Sequence, residues 1–297
     1  MADATDPIPL RIAGVPEHFN LPWMLALERR AFVRAKIELK WHTVPEGTGR
    51  MCAMLRNAEL DLAVLVTEGA VRDILHGNPA RILAPYVDTP LTWGVHVGAG
   101  SGIEGPAQLG NVPYAISRPN SGSHLAAMAY SKAQGRVLAE KDLVVVNDLH
   151  GAVAHLNEYP ATAFLWEKYT TKALVDAGVL KRVGEHRSSW PSFVIVGSEA
   201  TLAEHRGPMQ RMLKVIRDQA FGVMCKKTAP EMIAQRYAMG LEDARAWLAE
   251  VRWNTGQAID GRTLATVVEA LRTTGRHEEK PSPQELEKRL LWATPKG

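Results

Sequence analysis

The residues best suited to chemistry lie in one stretch, Ser117-Arg118-Pro119-Asn120-Ser121-Gly122-Ser123-His124. It offers hydroxyls, a guanidinium, an imidazole and a glycine at consecutive positions. An apolar run at 112–116 reads as a buried strand before it, and 125–130 reads as the start of a helix. The stretch is therefore a strand-to-helix turn. A Ser or Asn there caps the helix, and the helix's orphan N–H groups and dipole favour an anion in front of it. Gly122 lets a ligand come close to the backbone. Three chemistries are open: a plain cap, an acceptor-binding site made by Arg118, Ser121, Gly122, Ser123 and His124, or a serine nucleophile with His124 as base. Neighbouring residues at a helix start rarely aim at each other, which weighs against the third.

The elements around this turn suggest where it faces. Residues 8–15 read as a strand, followed by the polar turn Glu17-His18-Phe19-Asn20. Residues 37–44 alternate with period two, the mark of a half-buried strand, and run into Glu46-Gly47-Thr48-Gly49. Residues 61–66 form an apolar strand that ends in Thr67-Glu68-Gly69. Helices between these strands and a further strand at 81–87 complete a βαβαβ series, hence an α/β fold with a parallel sheet. Loops after the carboxyl ends of such strands form the ligand crevice. Glu17, His18, Thr48, Gly49 and Glu68 should share that rim.

A second α/β series holds the opening turn, a strand at 143–146, a helix at 149–156 and a strand at 162–166. The last ends in Glu167-Lys168-Tyr169-Thr170-Thr171, adding Trp166 and Glu167 as candidates. Extended runs at 88–97 and 190–196 read as crossings between lobes. One lobe would hold 1–90 plus 195–297, the other 93–190, with a ligand held between them by hinge closure. Beyond Ser198 the chain reads as helical, with 274–283 as a polar surface loop before a last helix at 284–292. Trp166, Tyr86 and Trp190 could stack on a flat ring, or simply pack; Trp23 reads as structural.

Composition narrows the classes. The chain has 297 residues and a formal net charge of +3, with its basic residues scattered rather than striped. That argues against nucleic acid as a partner. No run approaches the roughly 20 apolar residues of a membrane span, so no membrane insertion is expected. The stretch Met1-Ala2-Asp3-Ala4-Thr5-Asp6-Pro7 is acidic and polar and does not read as a secretory signal. The expected compartment is the cytoplasm as the sequence is written, or the periplasm if a signal was removed. Cys52 and Cys225 read as two buried free thiols, with a disulfide left open. Gly100-Ser101-Gly102-Ile103-Glu104-Gly105 matches a dinucleotide fingerprint literally but lacks room for its helix. A metal site from Glu17, His18, Glu46, Glu68, His124 and Glu167 lacks short ligand spacing, and no metal or cofactor is expected.

The longest runs carry a resemblance. Gly14-Val15-Pro16-Glu17-His18-Phe19-Asn20-Leu21-Pro22-Trp23, Glu46-Gly47-Thr48-Gly49-Arg50-Met51, the turn at 117–124, Phe164-Leu165-Trp166-Glu167-Lys168-Tyr169-Thr170-Thr171-Lys172 and Trp190-Pro191-Ser192-Phe193 resemble type II periplasmic binding proteins. More narrowly they resemble the substrate-binding proteins for nitrate, sulfonate, taurine and thiamine-pyrimidine precursors, nearest a poorly characterised branch that often lacks a signal. The resemblance implies a two-lobe fold with two hinge crossings and a helical C-terminal region. It implies a non-catalytic solute-binding protein of the ABC-transporter type, with a membrane component as partner. The missing lipoprotein cysteine puts that partner in doubt. Fungal thiamine-pyrimidine synthases share the fold but use a cysteine-rich motif absent here. Some menaquinone-pathway enzymes share it too, so an enzyme using His18 or His124 beside the glutamates is the alternative. A sensory or interaction module is a third reading. Four rim carboxylates, Glu17, Glu46, Glu68 and Glu167, face Arg118, His18 and His124. That balance points to an aminopyrimidine-like or zwitterionic ligand, because like charges buried together are costly.

Overall fold

A computed structural model describes residues 6–292; residues 1–5, most of the acidic N-terminal stretch, and 293–297 lie outside it. Among the described residues, two five-stranded sheets form, one in each of two units. Unit 1 contains the chain up to Thr89, Trp190–Val267 and the chain from Pro281. Unit 2 contains Pro90–Ser189 and Val268–Lys280.

The sheet of unit 1 uses β1 (Ile8–Gly14), β2 (Ile37–Thr43), β3 (Leu62–Val66), β4 (Ala80–Val87) and β10 (Phe193–Ser198), in the order β2-β1-β3-β10-β4. β1 runs parallel to β2 and β3, and β10 is antiparallel to both its neighbours. The sheet of unit 2 uses β5 (Thr92–Gly98), β6 (Tyr114–Ile116), β7 (Leu143–Val145), β8 (Ala163–Glu167) and β9 (Leu180–Arg187), in the order β7-β6-β8-β5-β9. Here β6 runs parallel to β7 and β8, while β5 is antiparallel to β8 and β9. The strand that enters from a crossing thus takes the same antiparallel place in each sheet.

Burial explains the sequence patterns. All of β3 is buried, as expected of a parallel strand covered on both faces. β2 is half exposed, as its alternation indicates, and lies at a sheet edge. In unit 2, Ala115, Val146, Ala152, Leu156, Phe164 and Leu180 form a buried cluster.

The structure departs from the sequence reading in several places. β9 has no clear mark in the sequence. Leu180 and Val183 are its buried positions, and Lys181, Arg182, Glu185 and Arg187 hide the alternation that would announce a strand. Charged side chains are usual on an edge strand, where they discourage further pairing. Thr67-Glu68-Gly69 is no loop: a helix, Thr67–Leu75, starts directly after β3. Thr48 and Gly49 likewise open the helix Thr48–Arg56. Gly69 allows the two helix starts to approach, since a Cβ there would lie 2.6 Å from Thr48 Cγ2. Cys225 is exposed rather than buried, and both cysteines are free thiols.

The segment 268–280 differs as well. The sequence reading placed it in the first lobe, with 274–283 as a surface loop. It packs within unit 2 instead, with Thr274 and His277 buried. Lys132 Nζ donates to the Thr273 carbonyl at 2.6 Å, and Arg276 reaches Met128 Sδ at 3.2 Å. Contacts between residues so far apart in sequence leave no local pattern to read.

Candidate functional site

The turn after β6 is built as a closed hydroxyl network. Ser121 is the N-cap of the helix Gly122–Ala133 and accepts from the His124 N–H at 3.2 Å. Ser123 Oγ accepts from the Ser117 N–H at 2.9 Å and lies 3.1 Å from the hydroxyls of both Ser117 and Ser121. Asn120 sits in the left-handed region at φ 65°, a conformation asparagine tolerates. The N–H groups of Gly122 and Ser123, in the first turn, have no intrahelical acceptor by helix geometry. Arg118 stands beside them. It is half-buried, and its Nη2 is buried with no hydrogen-bond partner among the described residues.

His124 belongs to the turn's scaffold. Its Nδ1 accepts from the Asn120 N–H at 2.8 Å, and Arg276 Nη2 lies 2.7 Å from its Nε2. Both neighbours are donors, and a neutral imidazole has one lone pair, so only one contact can be a full hydrogen bond. A ring held between two donors is badly placed to take a proton from a substrate. Arg276 is a contact the sequence reading missed, 152 positions away and without a local signal.

Glu167 ends β8 and is buried. Its Oε2 accepts from the Tyr169 N–H at 3.0 Å, the Thr170 N–H at 2.7 Å and the Thr170 hydroxyl at 2.8 Å. Burial pushes its carboxyl up to about 7, against the opposing pull of those donors. Trp166 stacks on Phe164 at 5.3 Å and packs against the core cluster, so its packing role is plain.

In unit 1 the matching places are filled differently. His18 is buried within an aromatic group: its ring is 4.8 Å from Phe19, 4.4 Å from Trp247 and 6.0 Å from Tyr237. Burial pulls it down to about 3, so it stays neutral and is a weak base. The Phe19 carbonyl accepts from Tyr86 Oη at 2.7 Å and from Trp253 Nε1 at 2.8 Å. Tyr86 and Trp23 are therefore core residues, both nearly inaccessible. Glu68 is buried, its Oε2 accepting from Trp190 Nε1 at 2.9 Å, and burial raises its carboxyl. Trp190 thus serves as a hydrogen-bond donor. Thr48 Oγ1 accepts from the Val66 N–H at 3.2 Å. Glu17 is half-buried, while Glu46 and Gly49 are exposed. Ser192, whose carbonyl accepts from the Thr67 N–H at 3.0 Å, has its Oγ buried without a hydrogen-bond partner among the described residues.

Unit 1 therefore gathers Glu68, Trp190, Thr48 and Ser192. Unit 2 gathers Arg118, Ser117, Ser121, Ser123 and His124. Ser117, Asn120 and Ser192 are additions to the sequence-derived set. Among the described residues no three His, Cys, Asp or Glu side chains are placed to hold a metal ion. No helix among them is long and apolar enough to cross a membrane.

Comparison with known proteins decides the fold. A family model described as a Ca3427-like PBP matches residues 93–186. The Candida albicans CA3427 gene product, described as defining a new family with the generic periplasmic binding protein fold, superposes with a TM-score of 0.85 at 24% identity, covering 97% of this chain and 99% of that one. The fold is that of the type II periplasmic binding proteins. The alkanesulfonate-binding protein SsuA from Xanthomonas axonopodis pv. citri, bound to MOPS, is similar at a TM-score of 0.79 and 14% identity, covering 97% and 99%. The nitrate-binding protein NrtA from Synechocystis PCC 6803 is similar at 0.74 and 12% identity, covering 97% and 87%. No curated protein sequence matches the chain. The segments that follow the carboxyl ends of the parallel strands β2, β3, β6 and β8 carry Thr48, Glu68, Arg118, Ser121 and Ser123, and Glu167 ends β8 itself.

Proposed function

We propose that the protein is a small-molecule-binding protein, without catalysis, that takes the acceptor-rich or anionic portion of a solute at the turn after β6. The observation that carries this is Arg118: a half-buried guanidinium with a buried, unpartnered nitrogen beside the first turn of a capped helix. A buried cationic donor without a partner is costly, and an oxyanion supplied by a solute removes that cost. The Gly122 and Ser123 N–H groups add donors without further rearrangement. The neighbours support the class: one is an alkanesulfonate-binding protein bound to MOPS and another a nitrate-binding protein, and sulfonate and nitrate are both oxyanions.

The carboxylates refine the ligand's other half. Glu167, in the same unit as Arg118, is raised by burial to about 7, so it does not stand as a full charge against an anionic solute in mildly acidic solution. A zwitterionic or aminopyrimidine-like solute is the fit, with its donors available to the Glu167 carboxylate. The natural partner under this reading is an ABC-transporter membrane component.

Thermal denaturation against a panel of sulfonates, amino acids and aminopyrimidines tests the reading. A solute that binds only the folded state raises stability by about 2.7 kcal/mol at 100 times its Kd. Arg118→Gln should abolish the shift while leaving the ligand-free transition in place. No shift with any member of the panel, or a shift unchanged in Arg118→Gln, would overturn it.

A further inference from the structure

Unit 1 contains a cavity that shares no residue with Thr48, Glu68, Trp190 or Ser192. It lies along β4, the outer strand of its sheet. A sheet edge needs cover, and here two braces supply it only at the ends. At one end Leu291 bridges Ile82 and the Trp292 N–H donates to the Ile82 carbonyl at 2.9 Å. At the other Trp253 bridges Val87, and the Asn254 N–H donates to the Tyr86 carbonyl at 2.8 Å. Between the braces a cavity of about 420 Å³ opens over Leu83, Ala84 and Pro85. That volume is within the roughly 300–1,000 Å³ range of small-molecule sites.

The opposite wall is one face of the helix Arg206–Cys225, where Gln210, Leu213 and Arg217 fall at helical spacing. Gln257 and Ile259 come from the loop before the helix Gly261–Thr273. Trp292 closes one end, its ring held under the Arg206 guanidinium at 4.8 Å. The lining is apolar except for two amides and one cation.

That cation is the informative group. Arg11, Arg56, Arg81, Arg136 and Arg236 each face a carboxylate. Arg217 is half-buried and has no carboxylate or hydrogen-bond partner among the described residues. Burial pulls it down from the usual guanidinium value, the direction expected for a cation losing water without gaining a counter-charge. The planar guanidinium fork suits bidentate recognition of an oxyanion, and Arg217 has its fork available for one.

We propose that this cavity is a second ligand site, for a small organic anion with an apolar body. The carboxylate head would sit on Arg217, with the Gln210 and Gln257 amides as further donors. The body would lie against Leu83, Pro85, Leu213 and the Trp292 ring. The site is independent of the turn at Arg118.

Titration calorimetry with octanoate and phenylacetate, and with octanol as the uncharged control, tests it on the full chain. Both carboxylates should bind and octanol should bind at least about tenfold more weakly, the worth of a charge-assisted hydrogen bond. Arg217→Gln should weaken the carboxylates by about tenfold and leave octanol unchanged. Ala258→Trp, on the exposed loop, should block the cavity without disturbing the core, as an unchanged thermal transition would confirm. Arg118→Gln should leave octanoate binding as it was, which separates this site from the solute site. The proposal fails if neither carboxylate binds, if Arg217→Gln and Ala258→Trp both bind like the parent, or if binding is lost in Arg118→Gln.

Discussion

The two units repeat one strand order, yet the corresponding turns do opposite work. After β1 the chain enters an aromatic cluster, and His18, Phe19 and Asn20 are all buried. After β6 it enters a hydroxyl network, with a buried Arg118 nitrogen that has no hydrogen-bond partner among the described residues. The third strand of each unit leads to a buried glutamate, again with different partners. Glu68 is held by a tryptophan N–H from a distant segment, and Glu167 by N–H and hydroxyl groups of its own loop. Topology thus provides equivalent places, and side-chain chemistry decides whether a place is filled by an aromatic brace or by a polar network.

The largest test of this contrast is Trp247→Ala. Trp247 is buried against His18, Phe19 and Trp253. Its removal should cost about 3–5 kcal/mol in denaturant unfolding, as for other buried aromatic truncations, and leave solute affinity at Arg118 unchanged. A loss under 1 kcal/mol would show that the first turn is not a structural brace.

Next comes the pH profile of Glu167. Its folded value is raised to about 7 from an ordinary 4.5. The folded state therefore binds more protons than the unfolded state between those values, so the contribution is complete below about 4.5 and is lost as pH rises through about 7. The loss should amount to about 3 kcal/mol. Glu167→Gln should flatten that part of the stability curve measured by urea titration. A wild-type profile that is already flat from pH 4 to 8 would count against the assignment.

Ser121→Ala should cost about 1 kcal/mol, since it removes the cap and one corner of the hydroxyl network. Amide exchange should speed up at the start of the helix Gly122–Ala133 and not in unit 1. Smallest is Trp190→Phe, which removes the donor to Glu68. It should cost about 1 kcal/mol at the alkaline end of the stability curve, where the ionised carboxylate uses the bond, and less near pH ~4, where burial keeps the carboxyl protonated. Equal losses at both pH values would show that the indole matters through packing alone.

Strands with an unbroken apolar or alternating pattern were legible from residue order. β1, β2, β3, β6 and β8 follow from it, as does the capped turn at 117–124, because each signal is local. β9 was hidden by its charges. Gly49 and Gly69 resemble turn residues, so residue order hides the helical starts at Thr48 and Thr67, whereas Gly69 is there for close helix approach. Burial is equally hidden from residue order: four glutamates look equal in a sequence, whereas Glu68 and Glu167 are buried and Glu46 is exposed.

The sequence by itself determined the α/β class, the strand-to-helix turn and the Ser121 cap, since periodicity and capping depend on residues a few positions apart. Only the tertiary structure decided the rest. It put Trp190 on Glu68, Arg276 against His124, and Arg217 over β4 without a counter-charge. Those relations depend on desolvation and on partners more than a hundred residues away, and no local pattern encodes either.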